Sequence, residues 1–325
     1  MISKGKSKNK IKIQVLAGGI SHERDISLKS GRRVADALLA AGADVIIREP
    51  DEHLLSNIKK DKPDVIWPCL HGASGEDGAL RDILSLTGIP FVGATANGAR
   101  LAWDKAIAKV LVSQAGIQTP ASVTLPKETF RELDADGILK AVTQTISFPL
   151  VVKPARSGSA QGVSVVKKAD ELARAMVDAY VYCDVVIIEK FVEGTELAIS
   201  VIDLGSGPIA LPAVEIEALS GRFGYQERYT AGETNYHVPA RVTRAVADRV
   251  AKVALDAHVA LGLRHLSRID AIVDKKGVVW FLEANVCPGM TETSLLPQAI
   301  TAEGSTLASV YLSIAEAALR TRSRV

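Results

Sequence analysis

In LSRIDAIVDKKGVVWFLEAN, residues 266–285, two apolar runs flank the short turn DKKG. That pattern predicts an antiparallel hairpin. Placing Asp274 opposite Gly277 sets Arg268 opposite Glu283 and Asp270 opposite Phe281. Side chains alternate along strands, so Arg268, Asp270, Glu283 and Asn285 project from one face. Asp270 and Glu283 become diagonal neighbours. At about 5 Å and an effective dielectric of about 20, two carboxylates repel by about 3 kcal/mol, a cost that calls for compensation. An oxygen-rich set of Asp, Glu and Asn suits a hard cation such as Mg²⁺, which shares itself with substrate phosphates. The segment also allows an Arg268–Glu283 cross-strand ion pair with Asp270 solvated.

A second stretch, KPARSGSAQGVSVV at 153–166, has the residue types of a phosphate cradle. Gly158 and Gly162 let the backbone approach an anion, Ser157 and Ser159 add hydroxyl donors, and Lys153 adds a point charge. The order is unusual, because the lysine ends a strand, FPLVVKP, and the loop runs into a second strand, VSVV. An ordinary turn would explain the loop as well. Lys105 in WDK is a second candidate phosphate lysine or a solvated helix residue.

These segments need a scaffold. Up to about residue 98 the chain alternates strand and helix: IKIQVLAGG, SLKSGRRVADALLAAG, ADVIIREP, DVIWPCL, GALRDILSLTG and the strand PFVG. Such alternation predicts an α/β layer with a parallel sheet and ligand groups on loops at the strands' carboxyl ends. GGISHERDIS and HGASGEDG are two such loops. Beyond residue 98 the texture changes to helices over ARLAWDKAIAKVLVSQAG, and then to mixed strands and helices, with IALPAVEIE read as one strand.

Length and charge narrow the class. At 325 residues the chain exceeds one typical core. Its net charge of +2 comes largely from ISKGKSKNKIK, five lysines without an acid. Residues 1–10 therefore read as a basic, disordered tail. No aromatics interleave with it and no second basic run follows, which argues against a nucleic-acid partner. No stretch approaches the roughly 18 apolar residues of a membrane span. Cys69, Cys183 and Cys287 are too few and scattered for a disulfide framework and fit a reducing cytoplasm.

Taken together in order, GGISHERDIS, LHGASGEDG, WDK, VVKPARSGSAQG, IIEKFVEGTE, ERYTAGET, RID and LEANVCPGMTETSL resemble the D-alanine–D-alanine ligases, ATP-grasp enzymes, over nearly the whole chain. The resemblance implies an ATP-grasp fold: an N-terminal α/β substrate domain at 11–98, a central lobe at 99–191 and a C-terminal mixed-sheet lobe at 192–325. It implies that Lys105 and Lys153 contact ATP phosphates under a lid carrying Ser157, Gly158 and Gly162. Glu189, Lys190 and Val192 would meet the adenine edge and Glu196 the ribose. Asp270, Glu283 and Asn285 would hold Mg²⁺, with Mn²⁺ as a substitute. Glu23, linked through Ser159 and Tyr229, would take the first D-alanine's ammonium. Arg268 and the Gly289 amide would stabilise an oxyanion, and His71 and Ser294 would serve the second substrate.

For several of these residues a plainer reading stands alongside. Glu23 could complement a helix dipole, Tyr229 could be a surface residue, His71 could cap a loop, and Cys287 reads as a small buried residue. Three positions depart from the family pattern: Arg228 for lysine, Ala160 for the second loop serine and Ser267 for glycine. The implied activity is ATP-dependent D-alanyl-D-alanine synthesis for peptidoglycan by a cytoplasmic homodimer. The competing readings are another acceptor, such as D-lactate, D-serine or another amino acid, and a nucleotide-binding protein without catalysis.

Overall fold

The structure, a computed structural model, describes residues 10–219 and 232–321. Its strands form three sheets. In the first, β1 (Lys12–Leu16) lies between β2 (Asp44–Arg48) and β3 (Val65–Pro68), all parallel. The expected alternation is present, and helix Arg24–Ala40 carries the first crossover. The second crossover is helix Leu54–Asp61, which the sequence reading passed over; Leu54 and Ile58, four apart, are its buried stripe. PFVG is not a strand. It contributes one parallel bridge, Ile66↔Phe91, at the sheet edge.

The second sheet is antiparallel, in the order β4 (Ser122–Pro126), β7 (Val185–Lys190), β5 (Leu150–Pro154), β6 (Ser164–Val166). β5 and β6 are the two arms around the glycine loop, as the alternating apolar runs predict. The helical stretch 99–116 is two helices, Ala96–Trp103 and Lys105–Gln114. Asp104 breaks it: its backbone is extended and its carboxylate caps Ala106 N and Ile107 N. Lys105 is thereby fixed as the first residue of a new helix.

The third sheet runs β11 (Thr234–His237), β10 (Val214–Ala218), β8 (Gly194–Asp203), β12 (Leu266–Asp274), β13 (Val279–Asn285), with β9 (Pro208–Ala210) on β8. IALPAVEIE is thus two strands. Among the described residues every pairing in it is antiparallel, where a mixed sheet is expected. The β12–β13 connection shows why one of these pairs must be so: residues 275–278 are too short for the crossover that parallel strands require.

The hairpin register differs from the expected one. Ala271 faces Phe281, and a bulge after Asp270 then sets Asp270 opposite Glu283 and Arg268 opposite Asn285. The extra residue in β13 turns Glu283 onto the Asp270 face, which an unbroken ladder with Ala271 at Phe281 would not do. All four polar residues still share one face. One apolar core joins the first sheet to the end of the chain, from Ile13 and Val65 to Ile300 and Ile314. In it the Trp67 and Tyr311 rings sit 5.4 Å apart.

Candidate active site

Two cavities open along the hairpin face. The larger, about 290 Å³, is lined by Lys105, Lys153, Ser157, Glu189, Lys190, Val192, Glu196, Asp270 and Glu283. The smaller, about 160 Å³, is lined by Glu23, His71, Gly158, Ser159, Arg268, Asn285, Gly289 and Ser294. Gly162 lines neither; it has a φ of 70°, and a Cβ there would stand 2.9 Å from Pro154 Cγ. Tyr229 and Arg228 lie outside the described residues, as do residues 1–9 of the tail.

The hairpin supplies both cavities because its polar face is continuous. Arg268 donates from Nε to Asp270 Oδ1 at 2.7 Å and from a terminal nitrogen to Oδ2 at 2.8 Å. Asn285 Nδ2 donates to the same Oδ2 at 3.2 Å. Burial works against the Arg268 charge, but Asp270 and Glu283 hold its pKa above the ordinary value. Glu283 is paired with Lys105 Nζ at 3.1 Å. The repulsion expected between the two carboxylates is therefore offset by one cation on each, and Asp270 is buried rather than solvated. Among the described residues no group of three or more His, Cys, Asp or Glu could hold a metal ion. Two carboxylates and an amide oxygen nevertheless fit Mg²⁺, which takes one or two carboxylates and completes its shell with water and phosphate.

The glycine loop spans both cavities. Lys105 Nζ donates to Ser157 O at 2.8 Å, tying the loop's start to the helix and, through Glu283, to the hairpin. Ser159 Oγ donates to Glu23 Oε1. Glu23 stands at the head of helix Arg24–Ala40, but its side chain makes no cap there. The loop comes so near that a Cβ at Gly158 would lie 2.9 Å from Glu23 Oε2.

Around the smaller cavity, His71 Nδ1 lies 3.0 Å from Cys287 O, a carbonyl that can only accept, so Nδ1 carries the proton. Nε2 then accepts from Ser30 Oγ at 3.2 Å. Burial lowers the His71 pKa, and the ring is neutral at pH 7. Cys287 is buried and its thiol is pushed up to about 12, chiefly by burial, so it is no nucleophile. Ser294 Oγ accepts from Thr291 N at 2.9 Å. A Cβ at Gly289 would fall 2.7 Å from Ser294 Oγ. In the larger cavity the Lys190 ammonium turns outward to Ser147 Oγ at 2.7 Å, and the backbone is what remains for a ligand.

Comparison with known proteins places this geometry. The family model for the D-ala D-ala ligase C-terminus matches residues 111–315. A D-alanine–D-alanine ligase of Bordetella petrii is 38% identical over 313 residues, 96% of this chain and 94% of that one. The chain belongs to the D-alanine–D-alanine ligase family. Among solved structures, the Bacillus anthracis D-alanine–D-alanine ligase complexed with ATP superposes with a TM-score of 0.81 at 28% identity, covering 96% of this chain and 98% of that one. A D-Ala:D-Ser ligase from Enterococcus faecalis gives the same TM-score at 29% identity, covering 95% and 99%.

Two charged residues beside this D-alanine–D-alanine ligase site were not read from the sequence. Lys109 is buried one turn beyond Lys105, although the spacing K-A-I-A-K reads as a solvated helix face. Glu76 ends the short helix Ala73–Glu76, where the sequence predicts a loop at HGASGEDG, and lines the smaller cavity; burial first, then Glu23, raises its pKa to about 8. Of the departures from the family pattern, Ala160 and its neighbour Ser159 adopt left-handed backbone, with φ of 56° and 52°. Ser267 is buried, and its hydroxyl lies 2.8 Å from His258 Nδ1. Alternation along β12 turns it from the face that carries Arg268.

Proposed function

We propose that this protein joins two D-alanines into D-alanyl-D-alanine, cleaving ATP to ADP and phosphate, as a peptidoglycan precursor step in a bacterial cytoplasm. The observation that carries this reading is the shared wall. One hairpin face and one glycine loop line both cavities, so a nucleotide in the larger can pass a phosphoryl group to a carboxylate in the smaller.

A carboxylate is a poor electrophile. The first D-alanine's carboxylate oxygen attacks the γ-phosphorus, ADP leaves, and an acyl phosphate forms. The second D-alanine's free amine attacks the carbonyl carbon, phosphate leaves with the C–O electron pair, and the amine's proton is released. Lys105 and Lys153 offset charge on the phosphates, an electrostatic contribution typical of phosphoryl transfer. Glu196 holds the ribose, and Glu189, with the backbone at Lys190 and Val192, borders the adenine. Asp270, Glu283 and Asn285 hold Mg²⁺, or Mn²⁺ in its place, which when bound neutralises charge on the moving phosphoryl group. Glu23, oriented by Ser159 and joined by Tyr229, takes the first D-alanine's ammonium. Arg268 and the Gly289 amide stabilise the tetrahedral oxyanion. Ser294 receives the second carboxylate, and His71 lines the same cavity. The glycine loop from Ser157 to Gly162 excludes water from the acyl phosphate.

In this reading the chain divides into a substrate domain at 11–98 and lobes at 99–191 and 192–325, and it assembles as a homodimer. No nucleic acid or membrane takes part; among the described residues no helix is long and apolar enough to cross a membrane. The test is one mass spectrum of products from Mg-ATP with equal D-alanine and D-lactate at neutral pH. Almost pure D-alanyl-D-alanine is expected. Dominant D-alanyl-D-lactate would overturn the acceptor, and no D-alanine-dependent phosphate release would overturn the reaction.

A further inference from the structure

Lys109 is buried behind the larger cavity without lining it. Its Nζ donates to Glu189 Oε2 at 2.5 Å and to Pro120 O at 2.9 Å. Lys153 Nζ donates to the other carboxylate oxygen, Oε1, also at 2.5 Å. One buried carboxylate is thus shared by two ammonium groups of different standing. Lys109 is anchored twice, by a carboxylate and a carbonyl. Lys153, on the cavity wall at the end of β5, has Glu189 as its one partner among the described residues.

A phosphate entering the cavity competes with Glu189 for Lys153. If Lys153 were the sole counter-ion, turning it away would strand a bare carboxylate in the interior, among the costliest states a protein can adopt. We infer that Lys109 is the positioning residue that frees Lys153 for the nucleotide: it stays on Glu189 and keeps that carboxylate neutralised while Lys153 moves to phosphate. Lys109 would therefore set ATP affinity without touching ATP. This rests on the ATP-binding reading above.

The charge states agree with the geometry. Burial alone would raise Glu189, but Lys153 and Lys109 hold its pKa below the ordinary value. Burial lowers Lys109 against the pull of Glu189.

The experiment measures Mg-ADP binding by calorimetry, with KM for ATP and for D-alanine, in Lys109→Met and Lys109→Arg. Lys109→Met should weaken Mg-ADP and raise KM for ATP about tenfold, the ratio corresponding to one pKa unit of charge interaction. KM for D-alanine should not move. Lys109→Arg keeps a cation on the buried Glu189 carboxylate, so it should recover to within about threefold. Loss of a purely structural lysine would move KM for D-alanine along with KM for ATP. Wild-type Mg-ADP affinity in Lys109→Met, or a KM for D-alanine that rises along with KM for ATP, would overturn the inference.

Should Lys109→Met fail to fold, ¹⁵N resonances of the wild-type lysine ammonium groups decide. On adding Mg-ADP the Lys153 signal should shift while that of Lys109 stays, and the reverse would refute the assignment. A wild type that binds no Mg-ADP would instead overturn the ATP reading itself.

Discussion

His265 allows a sharp test of what holds the two cavities' walls together. It is buried in a left-handed conformation, φ 63°, just before β12, and its Nδ1 accepts the Gly93 N–H at 3.1 Å. Beside it Arg264 Nε donates to Gly93 O at 2.7 Å, and Arg81 donates to Ala94 O at 3.1 Å. The segment leading out of the first sheet is thus clamped to the strand that carries Arg268 and Asp270. A ring that accepts at Nδ1 must be neutral. Burial, then Arg264, with Arg81 and His258 adding, lowers His265 to about 4 from 6.5, against the pull of Asp203.

The sign follows from a depressed folded-state pKa. The stability it contributes is present above 6.5 and is lost as pH falls toward 4, because the unfolded chain binds a proton that the folded one refuses. Between about pH 7.5 and about pH 5 that loss is about 2 kcal/mol for this side chain. His265→Asn is the informative change. Asparagine tolerates left-handed backbone, offers an oxygen to the Gly93 N–H and does not titrate. With a urea slope of about 3 kcal/mol per molar, the wild-type midpoint should drop about 0.7 M further than the variant's over that range. Equal drops in both proteins would show that His265 is not buried neutral, and the clamp as described would fail.

Two further outcomes follow from the site. Glu283→Ala should cut phosphate release by more than the roughly 100-fold typical of losing a metal ligand's outer partner, with an unchanged circular dichroism spectrum because this side chain is 25% exposed and fills no core; near-normal turnover would remove the metal assignment. Glu76, raised to about 8 from 4.5, contributes stability that is fully present below 4.5 and lost as pH rises through 8. Glu76→Gln keeps an acceptor for Gly72 N, bonded at 2.9 Å, so the wild-type urea midpoint should fall relative to the variant between about pH 5 and about pH 8.5, and parallel profiles would refute the burial of this acid.

Much of the site was legible before folding because its signals are local. A two-residue period assigns Arg268, Asp270, Glu283 and Asn285 to one face whatever the remainder of the chain does, and a short turn makes the hairpin. The strand–glycine loop–strand order likewise places Lys153 at the root of its loop. Alternation of strand and helix over the first ninety or so residues yields a parallel sheet by the same local logic. What the tertiary structure alone decided is everything that joins distant segments. His71 meets Cys287 across 216 positions, and Gly93 meets His265 across 172. No periodicity encodes such meetings. The bulge after Asp270 also escaped, since one extra residue in a ladder leaves the residue types unchanged while shifting each partner. Lys109 was missed for the opposite reason: on a helix, a lysine four residues after another reads as solvated surface. Only the tertiary meeting of the helix Lys105–Gln114 with Glu189 on β7 reveals that it is buried, where removal from water makes a charge pair obligatory.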